Sequence, residues 1–268
     1  MAYKKKSYGK KKRTYKRKSY APKRKALKRV IRKEITRVAE KKTIQAFNYG
    51  RTIYVSGSTN FPQNVIDLGP SSSMVINQGT GQGNRIGNKI QTQSLRMRGT
   101  ITPLCWNTTT NPNPRPLQVK MVFFYDKTDP NALPAVGTNF FQDGNSFKGF
   151  QDDLVDMWAP FNTDRYRICG TRTFKLGYAA YGGTASSAAN QTAHQVFANN
   201  DFKYNCNFNV DLTKMYPKKV LYNDTGGSPT SRGLFVLFYF AAADGSFLTN
   251  TWEMCSAQWM QTYTYTDL

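Results

Sequence analysis

Asp201-Phe202-Lys203-Tyr204-Asn205-Cys206-Asn207-Phe208-Asn209-Val210-Asp211-Leu212 sets six apolar residues against six polar ones in strict alternation. A period of two puts the apolar set on one face of an extended strand and the polar set on the other, a pattern no helix produces. The same alternation marks 90–103, with Leu95, Met97 and Ile101 on one face and Arg96, Arg98 and Thr100 on the other. Residues 117–126, 165–178, 232–242 and 252–265 repeat it, and 44–57 with the short 218–222 complete eight expected strands.

Long loops separate these strands: 58–89, 104–116, 127–164 and 179–200. Strands do not alternate with helical patterns, so two antiparallel sheets must cover their apolar faces against each other. The expected fold is all-β, a single eight-stranded antiparallel jelly-roll sandwich with long loops and a basic N-terminal arm that is disordered when alone. Loops of this length usually serve a function or are ordered by a partner, and neighbouring copies of the chain are expected to order these. Residues 234–240, LFVLFYF, are apolar on both faces. Such a strand belongs in the centre of a sheet or beneath another chain.

Charge is distributed unevenly. The 268 residues hold 38 Lys+Arg against 16 Asp+Glu, a formal net charge of +22. Residues 1–42 contain 20 Lys/Arg and two acids, Glu34 and Glu40, a net +18, which leaves +4 for residues 43–268. The expected organisation is therefore a basic arm over 1–42 and a shell-forming body over 43–268. Lys4, Lys5 and Lys6, then Lys10, Lys11, Lys12 and Arg13, then Lys16, Arg17 and Lys18, then Lys23, Arg24 and Lys25 alternate with Tyr3, Tyr8, Tyr15 and Tyr20. Like charges at this density repel, and there is little aliphatic surface to bury. Over 25–42, Leu27, Val30, Ile31, Ile35 and Val38 recur at spacings of three and four, which predicts a basic amphipathic helix. Either it packs on the edge of the body, or it forms when phosphates neutralise Lys28, Arg29, Arg32, Lys33 and Arg37.

A polyanionic partner follows from this balance, and nucleic acid is the leading one. Cations that meet phosphates release counterions, giving affinity that is indifferent to sequence and lost as salt rises. The interleaved tyrosines either stack on unpaired bases or reflect the composition of the tail. Arg85, Arg96 and Arg98 are further candidates for nucleic-acid contacts, with ion pairs between subunits as the alternative. The clusters Lys10 to Arg13, Lys16 to Lys18 and Lys23 to Lys25 also fit the short basic pattern read by nuclear import receptors.

Other chemistry lacks its parts. His194 is the single histidine, and Cys105, Cys169, Cys206 and Cys255 stand far apart, so no Cys/His metal site and no histidine-dependent nucleophile is expected. The cysteines read as reduced core thiols. Gly79, Gly81, Gly83 and Gly87 with Lys89 miss the spacing of a phosphate loop. Asp152, Asp153 and Asp156 read as a solvated helix face, with a divalent cation or a neighbouring subunit as the sharper alternative. No apolar run is long enough for a membrane span, and no signal-peptide core follows the basic N-terminus. The sequons at Asn107, Asn190 and Asn223 carry no weight without a secretory route. No cofactor is expected.

Several segments resemble one family. Asn84-Arg85-Ile86-Gly87-Asn88-Lys89-Ile90 ahead of the strand Leu95 to Ile101 is similar to the Arg-Val-Gly-x-Arg/Lys-Phe stretch of geminivirus coat proteins. Met121-Val122-Phe123-Phe124-Tyr125-Asp126-Lys127, then Asp152-Asp153-Leu154, then Asp164-Arg165-Tyr166 resemble the same proteins in the same order. The matches touch residues 84–178 and point to the capsid proteins of circular Rep-encoding single-stranded DNA viruses. Geminivirus coat proteins carry an N-terminal Cys/His group that this chain lacks, so the simple shell of circoviruses is the nearer analogue. The resemblance implies sixty copies in a T=1 icosahedral shell around circular single-stranded DNA, found in the virion and the host nucleus. Sixty arms would bring on the order of a thousand positive charges to the phosphates inside. A monomeric nucleic-acid-binding protein with a basic tail is the alternative from another class; a tailed hydrolase lacks usable catalytic groups.

Overall fold

The computed structural model describes residues 26–27, 29–31, 40–70, 74–107, 109–129, 132–181, 194–223, 227–230, 233–248 and 252–267. The chain divides into two units, Met1–Ala39 and Glu40–Leu268. In the first, the described residues between 26 and 31 are helical, and Leu27, Val30 and Ile31 are exposed. The expected helix cannot run to residue 42, because Lys41 and Lys42 already lie in a strand. Ile35 and Val38 fall outside the described residues.

The second unit is all-β. Among its described residues are thirteen strands, where the sequence predicts eight: β1 (Lys41–Tyr54), β2 (Val65–Asp67), β3 (Lys89–Pro103), β4 (Leu117–Asp126), β5 (Phe141–Asp143), β6 (Ser146–Lys148), β7 (Tyr166–Leu176), β8 (Tyr178–Tyr181), β9 (His194–Phe197), β10 (Cys206–Asp211), β11 (Lys219–Leu221), β12 (Phe235–Ala242) and β13 (Glu253–Asp267). Of the extra strands, β2, β5, β6 and β9 are short segments within the expected loops, and β8 lies where one of those loops begins. The pattern strand 201–212 pairs with β3 from Cys206, opposite Ile101, to Asp211, opposite Arg96, and Lys203 makes a single parallel bridge to Leu176 at the end of β7. Upstream of Cys206 the chain turns instead, with the Asn199 side chain accepting the N–H groups of Asp201 and Phe202.

Every ladder between these strands is antiparallel. One sheet runs β1-β13-β3-β10, with β11 also on β3, and a second runs β2-β12-β4-β7. Their facing sides share one core: Leu95, Met97, Ile101, Trp259 and Tyr263 from the first meet Val119, Met121, Phe123, Val236 and Phe238 from the second.

β12 is buried at all eight positions. Its even-numbered side chains enter the shared core, and Phe235, Leu237, Tyr239 and Ala241 enter a second one. That second core is closed by Phe61 and by Val136, Phe140, Phe141, Phe150, Met157 and Ala159 of the expected loop 127–164. The central placement of 234–240 therefore holds, and for this loop the order comes from the chain itself. Its rings pack edge to face, as Phe141 does on Phe150 with centroids 4.8 Å apart and Phe124 on Tyr166 at 5.4 Å, the arrangement the ring quadrupole favours.

Polar groups fasten this cover. Tyr239 donates its hydroxyl to the carbonyl of Asp156 at 3.1 Å, and the buried Lys120 ammonium donates to the carbonyl of Met157 at 2.5 Å. Desolvation lowers the pKa of that ammonium. Asp156 is no solvated helix face: it is 1% exposed, and its Oδ2 accepts the N–H groups of Gln151 and Asp152 at 2.7 and 2.8 Å. Asp152, held at φ +58°, accepts the N–H and hydroxyl of Ser56. Burial pushes the Asp156 carboxyl up to about 6; the two N–H bonds oppose this, and the charges of Asp153 and Asp152 add to it.

A carboxyl raised in the folded state contributes stability that is complete below its ordinary range and lost as pH rises through the folded value. Between about pH 4 and pH 7, wild type is expected to lose about 2 kcal/mol relative to Asp156→Asn, which has no proton to release there. Denaturant unfolding of both proteins at the two pH values measures this, and a pH-independent difference refutes it.

Candidate nucleic-acid interface

The structure divides the sequence-predicted cations into three groups. Lys4, Lys5, Lys6, Lys10, Lys11, Lys12, Arg13, Lys16, Arg17, Lys18, Lys23, Arg24, Lys25, Lys28, Arg32, Lys33 and Arg37 lie outside the described residues, and Arg29 is exposed on the helical segment. Arg96 and Arg98 are exposed on β3. Arg96 stands between Asp211 of β10 and Thr262 of β13, and Arg98 between Asn209 and Met260. The Asp211 carboxyl is held below its usual range mainly by hydrogen bonds from Thr213 and to a smaller degree by Arg96.

Arg85 is the correction. It is 0% exposed, and no phosphate reaches it. Its Nη1 donates to the Gly87 carbonyl at 2.8 Å and to Asn88 Oδ1 at 2.9 Å, its Nη2 donates to the Asn223 carbonyl at 3.0 Å, and its guanidinium lies 4.5 Å from the Tyr222 ring centre. A planar fork of donors suits this work, since it satisfies several buried carbonyls at once. The surrounding glycine run offers carbonyls rather than N–H groups to its neighbours: Gly83 accepts the Tyr265 hydroxyl at 2.6 Å, and Asn84 accepts the Lys42 ammonium at 2.7 Å. Lys42 also pairs with Asp267 at 2.9 Å. This is a clamp between the 77–88 loop and one end of the β1-β13 pair, where β1 begins and β13 finishes, the reverse of an anion cradle.

The segments Met121–Lys127 and Asp164–Tyr166 are scaffold as well. Asp126 at the end of β4 accepts two hydrogen bonds from Arg165, at 3.2 and 3.1 Å, and caps the N–H groups of Thr128 and Asp129. Lys127 donates to the Thr163 carbonyl at 2.5 Å. These residues tie the start of β7 to β4.

Sequence reading misses one basic feature. β7 is an edge strand and exposes Arg167, Arg172 and Lys175, charges of the kind that discourage further strand pairing. Beside it a cavity of about 640 Å³ is lined by Tyr125, Arg167, Ile168, Cys169, Lys214, Met215, Tyr216 and Pro217. It holds two cations and no acid. No periodicity links Arg167 to Lys214; only the packing of β7 against the turn after β10 brings them together.

Catalytic or metal chemistry gains nothing from the geometry. All four cysteines are free, and Cys255 alone is buried, whereas Cys105, Cys169 and Cys206 are half-buried rather than core thiols. Burial raises all four thiol pKa values, which suppresses the reactive thiolate. Among the described residues no group of three or more His, Cys, Asp and Glu could hold a metal ion, and no helix is long and apolar enough to cross a membrane.

Removing the Arg85 side chain leaves buried carbonyls without donors, so Arg85→Ala is expected to cost on the order of 3 kcal/mol. Arg96→Gln with Arg98→Gln, both at exposed positions, should stay within about 1 kcal/mol of wild type. Urea unfolding compares the two, and equal costs would overturn the assignment of Arg85 to the scaffold. No protein-family model matches this chain, and no curated protein matches it in sequence.

Proposed function

We propose that the chain is a structural capsid protein, in which Glu40–Leu268 is a jelly-roll shell unit and Met1–Ala39 is a basic arm that condenses single-stranded DNA. The observation that carries this reading is the partition of charge between the two units. Residues 1–39 hold 18 Lys/Arg and one acid, a net +17, leaving +5 on the all-β unit. A polycation segregated from the body that could present it is suited to neutralising a polyphosphate confined beside many copies.

Strand order supports the jelly roll. With β5, β6, β8, β9 and β11 set aside, the remaining strands numbered along the chain fall in the orders 1-8-3-6 and 2-7-4-5. First pairs with last, second with seventh, third with sixth and fourth with fifth, which is one long hairpin rolled into two sheets. Exposed Ile86, Leu133, Trp158 and Phe247 support self-association, since large apolar side chains gain from being covered by a neighbouring copy. Sixty copies with T=1 symmetry are the proposed assembly, and the virion and host nucleus the proposed locations. The competing reading, a monomeric nucleic-acid-binding protein, gives those side chains no role.

Negative-stain microscopy of the purified chain should reveal uniform closed particles; monomers at every salt and protein concentration would favour the competing reading. Deleting residues 1–39, just before β1, should lower the 260/280 nm absorbance ratio of the particles to that of protein alone, and an unchanged ratio refutes the role of the arm. Replacing Lys10 to Arg13 and Lys16 to Lys18 with Gln should exclude a fluorescent fusion from nuclei, whereas continued nuclear accumulation would remove these clusters as the import signal.

A further inference from the structure

The solvent face of the β1-β13-β3-β10 sheet carries an arrangement that the core does not use. On β1, Ile44 and Ala46 pack inward, while Thr43, Gln45, Phe47 and Tyr49 point out. Phe47 is 54% exposed and Tyr49 85% exposed, yet their rings are stacked, with centroids 6.0 Å apart and planes within 13°. Tyr49 points out by the alternation of β1, and a β-bulge begins at it. Between the pairs Asn48–Trp259 and Arg51–Ala257, Tyr49 and Gly50 stand opposite Gln258 alone, and Gly50 has φ +137°, where side chains are strained. The bulge reverses the alternation beyond Tyr49, so that Ile53 turns into the core.

Across the sheet Phe47 shares a row with Arg98, and Gln45 shares the next row with Arg96. Phe47 lies beside Met260, then Arg98, then Asn209; Gln45 lies beside Thr262, then Arg96, then Asp211. Two strand spacings, roughly 10 Å, separate the rings from the guanidinium-bearing strand. The acid in these rows, Asp211, faces Arg96 and is bonded to Thr213, so Arg98 keeps neutral neighbours. An apolar protein partner would bury Arg98, Asn209 and Gln258 without compensation. A polynucleotide does not: π-faces accept bases, guanidinium groups accept phosphates, and amides meet base edges. Paired bases inside a duplex offer no free face, so the strand must be single.

We propose that this sheet face is a stacking platform for single-stranded nucleic acid, with unpaired bases on Phe47 and Tyr49 and phosphates on Arg98 and Arg96. It rests on the reading above that the chain binds single strands, and it adds a contact in the folded unit separate from the basic arm.

The test uses the full-length chain, oligo-dT and a duplex of equal length. In about 0.6 M NaCl, where phosphate contacts weaken, wild type should still bind oligo-dT, and Phe47→Ala with Tyr49→Ala should bind about tenfold more weakly. Phe47→Trp with Tyr49→Trp should restore affinity, duplex binding should be unchanged throughout, and a bromodeoxyuridine-substituted strand should cross-link to the peptide carrying Phe47 and Tyr49. Equal oligo-dT affinity in all variants, with cross-links confined to residues 1–39, overturns the platform and leaves the arm's role intact. Failure of wild type to bind any single strand at low salt overturns both. An altered sedimentation coefficient of the alanine variant at unchanged oligo-dT affinity assigns the rings to a contact between copies, and likewise overturns the platform.

Discussion

A strand with no side for water organises the all-β unit. Phe235–Ala242 is apolar at every position and buried at every position, so the fold must supply two cores. The opposing sheet provides one. The other has to come from elsewhere in the chain, and the aromatic residues of 136–161 provide it by folding across the back of β12 and β4. Fully burying side chains of this size stabilises by roughly 2 kcal/mol each, and this is what turns a polar-looking connection into a structural layer.

An aromatic cover needs polar anchoring, because its own backbone groups become buried with it. Lys120 and Tyr239, both on strands beneath the cover, donate to its carbonyls, while Asn162 donates to the carbonyl of Asn139 and accepts the N–H groups of Asp164 and Arg165. At the other sheet Arg85 and Lys42 do the same for the glycine-rich loop. In both places a charged side chain is consumed internally, Arg85 among them, which the sequence reading offers to nucleic acid, since a buried carbonyl without a donor is costly.

What is left over is the surface to which the proposals above assign a role. Once the cover and the clamp have used Lys120, Lys42 and Arg85, the exposed cations of the unit include Arg96 and Arg98 on one sheet face and Arg167, Arg172 and Lys175 on an edge strand. The charge of Met1–Ala39 is of a different order, and the proposed division of labour follows from it: long-range phosphate neutralisation by the arm, short-range base contacts by the sheet.

Alternation and composition by themselves determined the all-β class, the lack of a water-facing side on 234–240 and the separation of a basic segment from a nearly balanced body, because these depend on local spacing and on sums over residues. Strand ends, burial and neighbours were decided only by the tertiary structure. The alternation of 201–212 outruns its ladder with β3, because upstream of Cys206 the chain leaves β3 and Lys203 bridges Leu176 of β7. Arg85 and Asp156 look like solvated charges until distant residues, Asn223 and Tyr239 among them, close over them. Ile53 falls out of phase with Ile44 and Ala46 until a bulge opposite Gln258 returns it to the core. Each of these is set by residues far apart in sequence, and a one-dimensional pattern carries no information about which of them meet.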